Sequence, residues 1–275
     1  MPSPTARAHQ AKAKAAADDL PDERYVIPNL RNACRILKLL GEHEDGLKAA
    51  DLARALDIPV TTTLRIMTTL HLEGFARKYA GRYELGPMLI QLGTAALAGT
   101  EIRELAFPVL QRLTEITAET SHLAIPCDNR SLIVAVQDSS HPLRASSRPG
   151  YLAELHCSST GKIFLAYLHA QRIPEVVPEA SLIARTPHTI TSLAKLKKEA
   201  DLTRRRGYSL DDEEYHSGVR CTAAPVFGPD GTVVAAVGIT ASVVRFTPER
   251  VPEMAEKITR AAAELSSLIG HTTGR

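Results

Sequence analysis

The feature that most constrains the fold is a run of short, differently patterned segments between residues 30 and 85. Apolar residues recur at helical spacing over 30–41, and a second short helix is predicted over 48–56. Asp57-Ile58-Pro59 forms a tight turn, and a third helix is predicted over 61–70, with Leu64, Met67 and Leu70 facing inward. Residues 75–85, with a turn at Ala80-Gly81, then predict a β-hairpin.

Helix, three-residue turn, helix and hairpin is the order of a winged helix-turn-helix. The helix after the turn enters the DNA major groove, so its outer face needs short polar side chains and a cation. The third helix supplies both, and the hairpin adds further cations. The residues that we predict to contact DNA are Thr61, Thr62, Thr63, Arg65, Thr68, Arg77, Lys78 and Arg82.

The charge distribution agrees with a small DNA-binding surface. The formal net charge of the chain is only +2, which argues against nucleic-acid binding over the whole surface. Between Pro59 and Tyr83, however, four Lys or Arg residues accompany a single acidic residue, Glu73. An alternative stays open, in which the threonines only cap the helix and the hairpin cations only face solvent.

The C-terminal half changes character after Thr120 and predicts an α+β domain. Apolar spacing over 87–98 and 102–113 indicates two preceding helices. Predicted strands cover 122–126, 132–137, 143–147, 220–227 and 233–240, and predicted helices cover 161–167, 193–206 and 251–269. The last two strands are joined by Gly228-Pro229-Asp230-Gly231, a strong turn sequence.

The cysteines and the N-terminal residues indicate the cellular compartment of the protein. Cys34, Cys127, Cys157 and Cys221 form no CxxC pair, so we expect reduced thiols and no metal site or disulfide framework. Residues 1–24 resemble a disordered tail without a secretory signal. No apolar run is long enough to span a bilayer. We therefore expect a cytoplasmic protein that is neither exported nor membrane-bound, with no cofactor.

Three motifs in the C-terminal half point to a known family. They are HCSSTGKIFLA at 156–166, RGYSLDDEE at 206–214 and GVRCTAAPVF at 218–227. Together with the N-terminal order, they resemble the IclR family of bacterial transcriptional regulators over about residues 25–270. The resemblance implies a winged helix-turn-helix at 25–86, a linker helix at 87–100 and a GAF- or profilin-like effector-binding domain at 101–270, with an antiparallel sheet flanked by helices.

The resemblance also implies an effector pocket and a homodimer that can pair into a tetramer. The matching pocket residues are Ser159, Thr160, Asp211, Cys221, Gly238 and Thr240. We add Gly161 to this set because it lies at the predicted start of a helix, where free backbone N–H groups favour binding of a carboxylate. Family members often carry a hydroxyl residue at position 238. Gly238 therefore removes a donor and adds room, which disfavours a two-carbon acid.

From these features we predict a ligand-responsive, sequence-specific transcriptional regulator. The chain would form a dimer through residues 88–98, and the dimer would bind palindromic double-stranded operator DNA. It would act as a repressor or as an activator of transcription. The effector would be a small organic or aromatic acid, whose hydroxyl or amide donates to Asp211. A monoanion is favoured because Asp211 opposes a second negative charge.

The sequence allows two rival interpretations. An enzyme is disfavoured because a phosphate-binding loop needs Gly at 156 and Ser or Thr at 163, where the chain has His156 and Ile163. Neighbouring strand residues face opposite ways, so Cys157 and His156 should not form a catalytic pair; we predict no catalytic residues. The second rival is a redox-sensing DNA-binding protein, which would need an exposed and reactive Cys221. The alternative for Cys221 is a buried thiol in the core. Asp211 could equally be a loop acid, and Lys162 an exposed residue at a helix start.

Overall fold

The computed structural model describes residues 25–98 and 101–271, and the chain divides into an N-terminal unit (1–99) and a C-terminal unit (100–275). The predicted disordered tail at 1–24 lies outside the described residues. The N-terminal unit contains α1 (Pro28–Gly41), α2 (Ala49–Leu56), α3 (Val60–Leu72), β1 (Ala76–Tyr79), β2 (Arg82–Leu85) and α4 (Pro87–Ala98).

The N-terminal unit is a winged helix-turn-helix, as predicted. Its core is formed by the inner faces of α1, α2 and α3, where Ile36, Leu52 and Met67 are fully buried. Asp57 adopts a left-handed conformation (φ 54°) that ends α2 and turns the chain into α3. The antiparallel β1–β2 hairpin is extended by a bridge between Leu47 and Tyr83.

The C-terminal unit is an antiparallel sheet with helices on both faces, which confirms the α+β prediction. Along the chain its elements are α5 (Glu101–Thr117), β3 (Thr120–Cys127), β4 (Arg130–Gln137), β5 (Leu152–Glu154), α6 (Ser159–Leu168), α7 (Ile173–Val176), α8 (Leu193–Arg206), β6 (Ser209–Asp212), β7 (Val219–Phe227), β8 (Val233–Ser242) and α9 (Val251–Leu268). The strand order is β5-β4-β3-β8-β7-β6.

The sheet separates two layers of helices. On one face α6 packs against the central strands, and α8 covers α6; Phe164, Ala223 and Ala236 belong to this core. On the other face α5 and α9 pack against each other and against the strands. Within residues 25–98 and 101–271, no helix combines the length and apolar character needed to cross a membrane.

Two details of the secondary structure differ from the predictions. Residues 143–147 form no strand and belong to the loop between β4 and β5. The edge strand is instead the three-residue β5, which pairs with β4. The polar strand β6 was not predicted, since its sequence Ser-Leu-Asp-Asp has low strand propensity and is fixed by its pairing with β7.

Candidate DNA-binding surface and effector cavity

The outer face of α3 carries a narrow stripe of exposed side chains. Thr61, Leu64, Arg65 and Thr68 are exposed at intervals of three and four residues, which places them on one side of the helix. Thr68 Oγ1 donates to the carbonyl oxygen of Leu64 at 2.9 Å, so its remaining lone pairs face outward. The stripe combines short hydroxyl side chains with one cation, as a major-groove helix requires.

Two α3 side chains are placed differently from the predictions. Thr63, predicted to contact DNA, is fully buried beside Ile66 and Met67, so its hydroxyl cannot reach a base edge. Leu64, predicted to face the core, is 43% exposed. The helical period accounts for both, because residues 63, 66, 67 and 70 share the inner face. Thr62 is half-buried.

The hairpin cations have partners of their own. Arg77 forms an ion pair with Glu84, its neighbour across the hairpin, at 2.7 Å. Arg82 donates through Nε to the carbonyl oxygen of Asp45 at 3.0 Å. Lys78 is exposed, with Nζ 5.4 Å from the centre of the Tyr83 ring. An exposed ion pair such as Arg77–Glu84 is weak, so phosphate can compete for the guanidinium.

The C-terminal unit contains a cavity of about 400 Å³ over the sheet at the N-terminus of α6. Its walls come from strands, from the loop between β4 and β5, and from the loop after β6. The lining residues are His122, Ile133, Ser146, Ser147, Arg148, Tyr151, Ala153, Ser158, Ser159, Thr160, Tyr215, His216 and Thr240. This wall mixes aromatic, hydroxyl and basic groups, which suits a small polar organic molecule.

The N-terminus of α6 forms the most polar wall of the cavity. Ser158 caps the helix, and its Oγ accepts the N–H of Gly161 at 3.2 Å. Thr160 Oγ1 is hydrogen-bonded to Ser131 Oγ at 2.7 Å. The N–H groups of Ser159 and Thr160 have no acceptor within the described part of the chain. Two free donors at the positive end of a helix can bind a carboxylate.

The predicted effector residues divide into two groups. Ser159, Thr160 and Thr240 line the cavity, whereas Gly161, Asp211, Cys221 and Gly238 are not among its lining residues. Gly161 allows the chain before α6 to pass close by, since a Cβ there would lie 2.6 Å from Leu155 Cα.

Asp211 is a structural acid of the cavity wall. Its Oδ1 accepts the N–H groups of Glu214 and Tyr215, at 2.8 and 3.1 Å, and burial raises its pKa to about 7. The side chain thereby holds the loop that places Tyr215 and His216 in the wall. Asp211 is 2% exposed, and the predicted hydrogen bond from a ligand to its carboxylate stays a prediction.

The cavity contains one buried histidine that the sequence did not reveal. His122 on β3 lies directly opposite Gly238 on β8, and a Cβ at position 238 would lie 2.7 Å from His122 Nε2. Gly238 was predicted to leave extra room, but the imidazole ring occupies it. Burial lowers the pKa of His122 to about 4, so the ring is neutral at physiological pH. A glycine inside a strand was the only indication of this close approach.

Two tyrosines form the aromatic side of the cavity. The hydroxyl groups of Tyr151 and Tyr215 are hydrogen-bonded at 2.8 Å, and the rings meet edge to face. The guanidinium of Arg185 lies 4.0 Å from the centre of the Tyr215 ring and donates to Glu154 at 2.9 Å. These contacts fix both rings before any ligand binds.

Lys162 is buried, contrary to the expected exposed position. Its Nζ donates to the carbonyl oxygen of Leu210 at 2.8 Å and forms an ion pair with the Glu214 carboxylate. Burial raises the pKa of Glu214, and the cation of Lys162 opposes that rise. The pair ties α6 to the segment that carries Asp211.

The environments of Cys157 and Cys221 do not favour an enzyme or a redox sensor, the two rival interpretations of the sequence. Burial raises the pKa of Cys157 and, together with Asp211, that of Cys221, so neither side chain is a reactive thiolate. Residues 155–157 form a turn rather than a strand. His156 Nε2 is nevertheless hydrogen-bonded to the carbonyl oxygen of Ile183, at 3.2 Å, rather than to Cys157.

Comparison with known proteins agrees with both units. Residues 30–79 match the IclR helix-turn-helix domain, and residues 94–267 match the family described as bacterial transcriptional regulator IclR C-terminal. The transcriptional repressor IclR of Escherichia coli (strain K12) is 30% identical over 248 residues, which are 89% of this chain and 90% of that protein.

Solved structures give the same result. The crystal structure of Thermotoga maritima IclR is 29% identical with a TM-score of 0.68, covering 88% of this chain and 98% of that one. An IclR homolog from Microbacterium hydrocarbonoxydans, complexed with 4-hydroxybenzoate, has a TM-score of 0.74 at 22% identity, covering 88% and 98%.

A winged helix-turn-helix followed by a sheet domain with a ligand-sized cavity defines a DNA-binding transcriptional regulator that senses a small molecule. The chain belongs to the IclR family of bacterial transcriptional regulators. Its members are regulators of transcription and not enzymes.

Proposed function

We propose that the protein binds a palindromic operator as a homodimer and that a small organic monoacid in the cavity alters its operator affinity. The observation that carries the effector proposal is the cavity itself, a space of about 400 Å³ lined by Ser159 and Thr160, whose N–H groups have no acceptor among the described residues. Since a bacterial operator lies in the cytoplasm, we expect the protein to act there.

The size and charge of the cavity indicate the kind of acid. A two-carbon acid would leave most of 400 Å³ unfilled, whereas the volume can accommodate an acid of the size of hydroxybenzoate. The carboxylate would lie at the N-terminus of α6, beside Arg148. The structural homolog bound to 4-hydroxybenzoate supports an aromatic acid as the first compound to test. Burial already raises the pKa of Asp211 to about 7, so a second negative charge nearby would be repelled by this carboxylate or would protonate it, at a cost in free energy.

Arg65 is the α3 residue on which we expect operator binding to depend most. Replacing Arg65 by Ala should weaken operator binding by about 1–3 kcal/mol if the guanidinium contacts a base edge. The measurement is fluorescence anisotropy with a labelled operator at fixed salt concentration. Arg260→Ala, which removes an exposed cation from α9 in the other unit, is the matched control and should leave the affinity unchanged. Operator affinity equal to wild type in Arg65→Ala would remove Arg65 from the interface.

Dimerisation is proposed because one winged module contacts too little DNA for operator-level affinity. Helix α4 offers an apolar contact, since Ile90 and Leu92 are 74% and 49% exposed in the chain alone. We expect light scattering at micromolar concentration to give a molecular mass at least twice that of one chain. The double variant Ile90→Asp with Leu92→Asp should have a lower mass. A stable wild-type monomer would exclude this proposal. Further pairing into a tetramer would appear as a mass of four chains.

A further inference from the structure

We propose that His122 hydrogen-bonds the effector and that Gly238 is the residue that admits its ring, so that this pair selects acids carrying a hydroxyl group away from the carboxylate. The inference rests on the proposed function, because it concerns the same cavity. It names a ligand-contacting residue and a chemical class of effector.

The register of the sheet places His122 in the cavity floor. On the paired strands β3 and β8, His122 lies opposite Gly238 and Thr120 lies opposite Thr240. Residues two apart on a strand share a face, so His122 and Thr240 project from the same face of the sheet. Both line the cavity. Two hydrogen-bonding side chains from neighbouring strands therefore converge on one side of the ligand space.

His122 has unsatisfied hydrogen-bonding capacity. The residue is only 4% exposed, and its buried Nδ1 has no partner among the described residues. A buried polar atom without a partner is costly, and in native proteins it usually has a bond to protein, water or ligand. Nδ1 is shielded from the cavity, so the nitrogen that a bound molecule can reach is Nε2, which likewise has no hydrogen bond to the described residues.

The neutral state of the ring limits what it can recognise. Burial lowers the pKa of His122 to about 4, so at pH 7 the ring does not balance a negative charge. A neutral imidazole can accept from, or donate to, a ligand hydroxyl. The carboxylate has a separate site at the N–H groups of Ser159 and Thr160. Because Oδ1 of Asp211 already accepts two backbone N–H groups, we assign to His122 the hydroxyl recognition that the sequence assigned to Asp211.

Gly238 and His122 depend on each other sterically. A Cβ at position 238 would lie 2.7 Å from Nε2 and 2.9 Å from Cε1 of the ring, closer than unbonded atoms tolerate. Gly238→Ala should therefore displace the imidazole from its place in the wall.

The experiment measures hydroxyl preference by calorimetry on the full-length protein. The probes are benzoate against 3- and 4-hydroxybenzoate, and butyrate against 3-hydroxybutyrate. We expect wild type to bind the hydroxylated acid of at least one set about tenfold more tightly. His122→Ala and Gly238→Ala should reduce that ratio to about twofold or less, while His122→Gln, which keeps a donor and an acceptor, should retain part of it. His188→Ala, an exposed histidine outside the cavity, is the matched control and should keep the wild-type ratio.

The possible failures are distinguishable. An unchanged hydroxyl preference in folded His122→Ala, or its absence in wild type, overturns the inference and leaves the proposed function standing. Binding of no acid by wild type at millimolar concentration overturns both. Circular dichroism checks the fold of each variant. If His122→Ala does not fold, the ratio in His122→Gln and Gly238→Ala decides, and a wild-type ratio in both counts against the inference.

Discussion

Replacing Lys162 by Met should lower the free energy of unfolding of the C-terminal unit by about 3–5 kcal/mol. The ammonium is buried, donates to the carbonyl oxygen of Leu210 and pairs with the carboxylate of Glu214. Removing it leaves that carboxylate buried and without its cation. Among the described residues, Glu214 forms no ion pair with a second cation, and its Oε2 has no hydrogen-bond partner.

The measurement is urea unfolding of the full chain, followed by far-ultraviolet circular dichroism. Lys257→Met removes a lysine from the exposed pair with Glu253 on α9, and this matched control should cost less than about 1 kcal/mol. The double variant Lys162→Met with Glu214→Leu should recover much of the loss, because it removes both charges. A Lys162→Met effect as small as that of the control would show that the pair does not stabilise the fold.

Gly161→Ala should destabilise the same unit by about 3 kcal/mol. A Cβ at this position would lie 2.6 Å from Leu155 Cα and 2.7 Å from the carbonyl oxygen of Glu154, and neither backbone atom can move without shifting the turn before α6. The same shift would disturb the N–H groups that face the cavity. We therefore expect weaker acid binding as well as lower stability.

The control for this substitution is Gly41→Ala in α1, where a Cβ would meet only Leu85 Cδ1, at an ordinary contact distance of 3.8 Å. Alanine favours a helix over glycine, so this variant should be unchanged or more stable by up to about 1 kcal/mol. Both variants are compared by thermal unfolding of the full chain. Equal melting temperatures for Gly161→Ala and wild type would show that the turn is not tightly packed against α6.

The regular elements were predictable because their apolar residues repeat at the period of a helix or a strand. Such patterns, with the turns between them, predict the three helices and the hairpin of the N-terminal unit. They also predict α8, β7 and β8 of the C-terminal unit. Short or polar elements such as β5 and β6 carry no pattern, because pairing with neighbouring strands determines them.

The cavity was predictable only in part. The sequence placed the positive end of α6 correctly, since small hydroxyl residues before an apolar helix indicate a capped N-terminus. It could not reveal that His122 fills the space beside Gly238, because the two residues are 116 positions apart and meet only through the β3–β8 register. Nor could it show that Lys162 is buried, since its partner Glu214 lies 52 residues away.

The central claim is that an acid in the cavity alters operator binding, and one measurement tests it most directly. Operator affinity of the full-length protein is measured by fluorescence anisotropy without acid and with saturating amounts of the acid that calorimetry shows to bind best. We predict at least a fivefold change in operator Kd, in either direction. Thr160→Val, which alters the α6 wall, should need a higher acid concentration for the same change. An operator Kd that stays constant while the cavity is fully occupied would contradict the account.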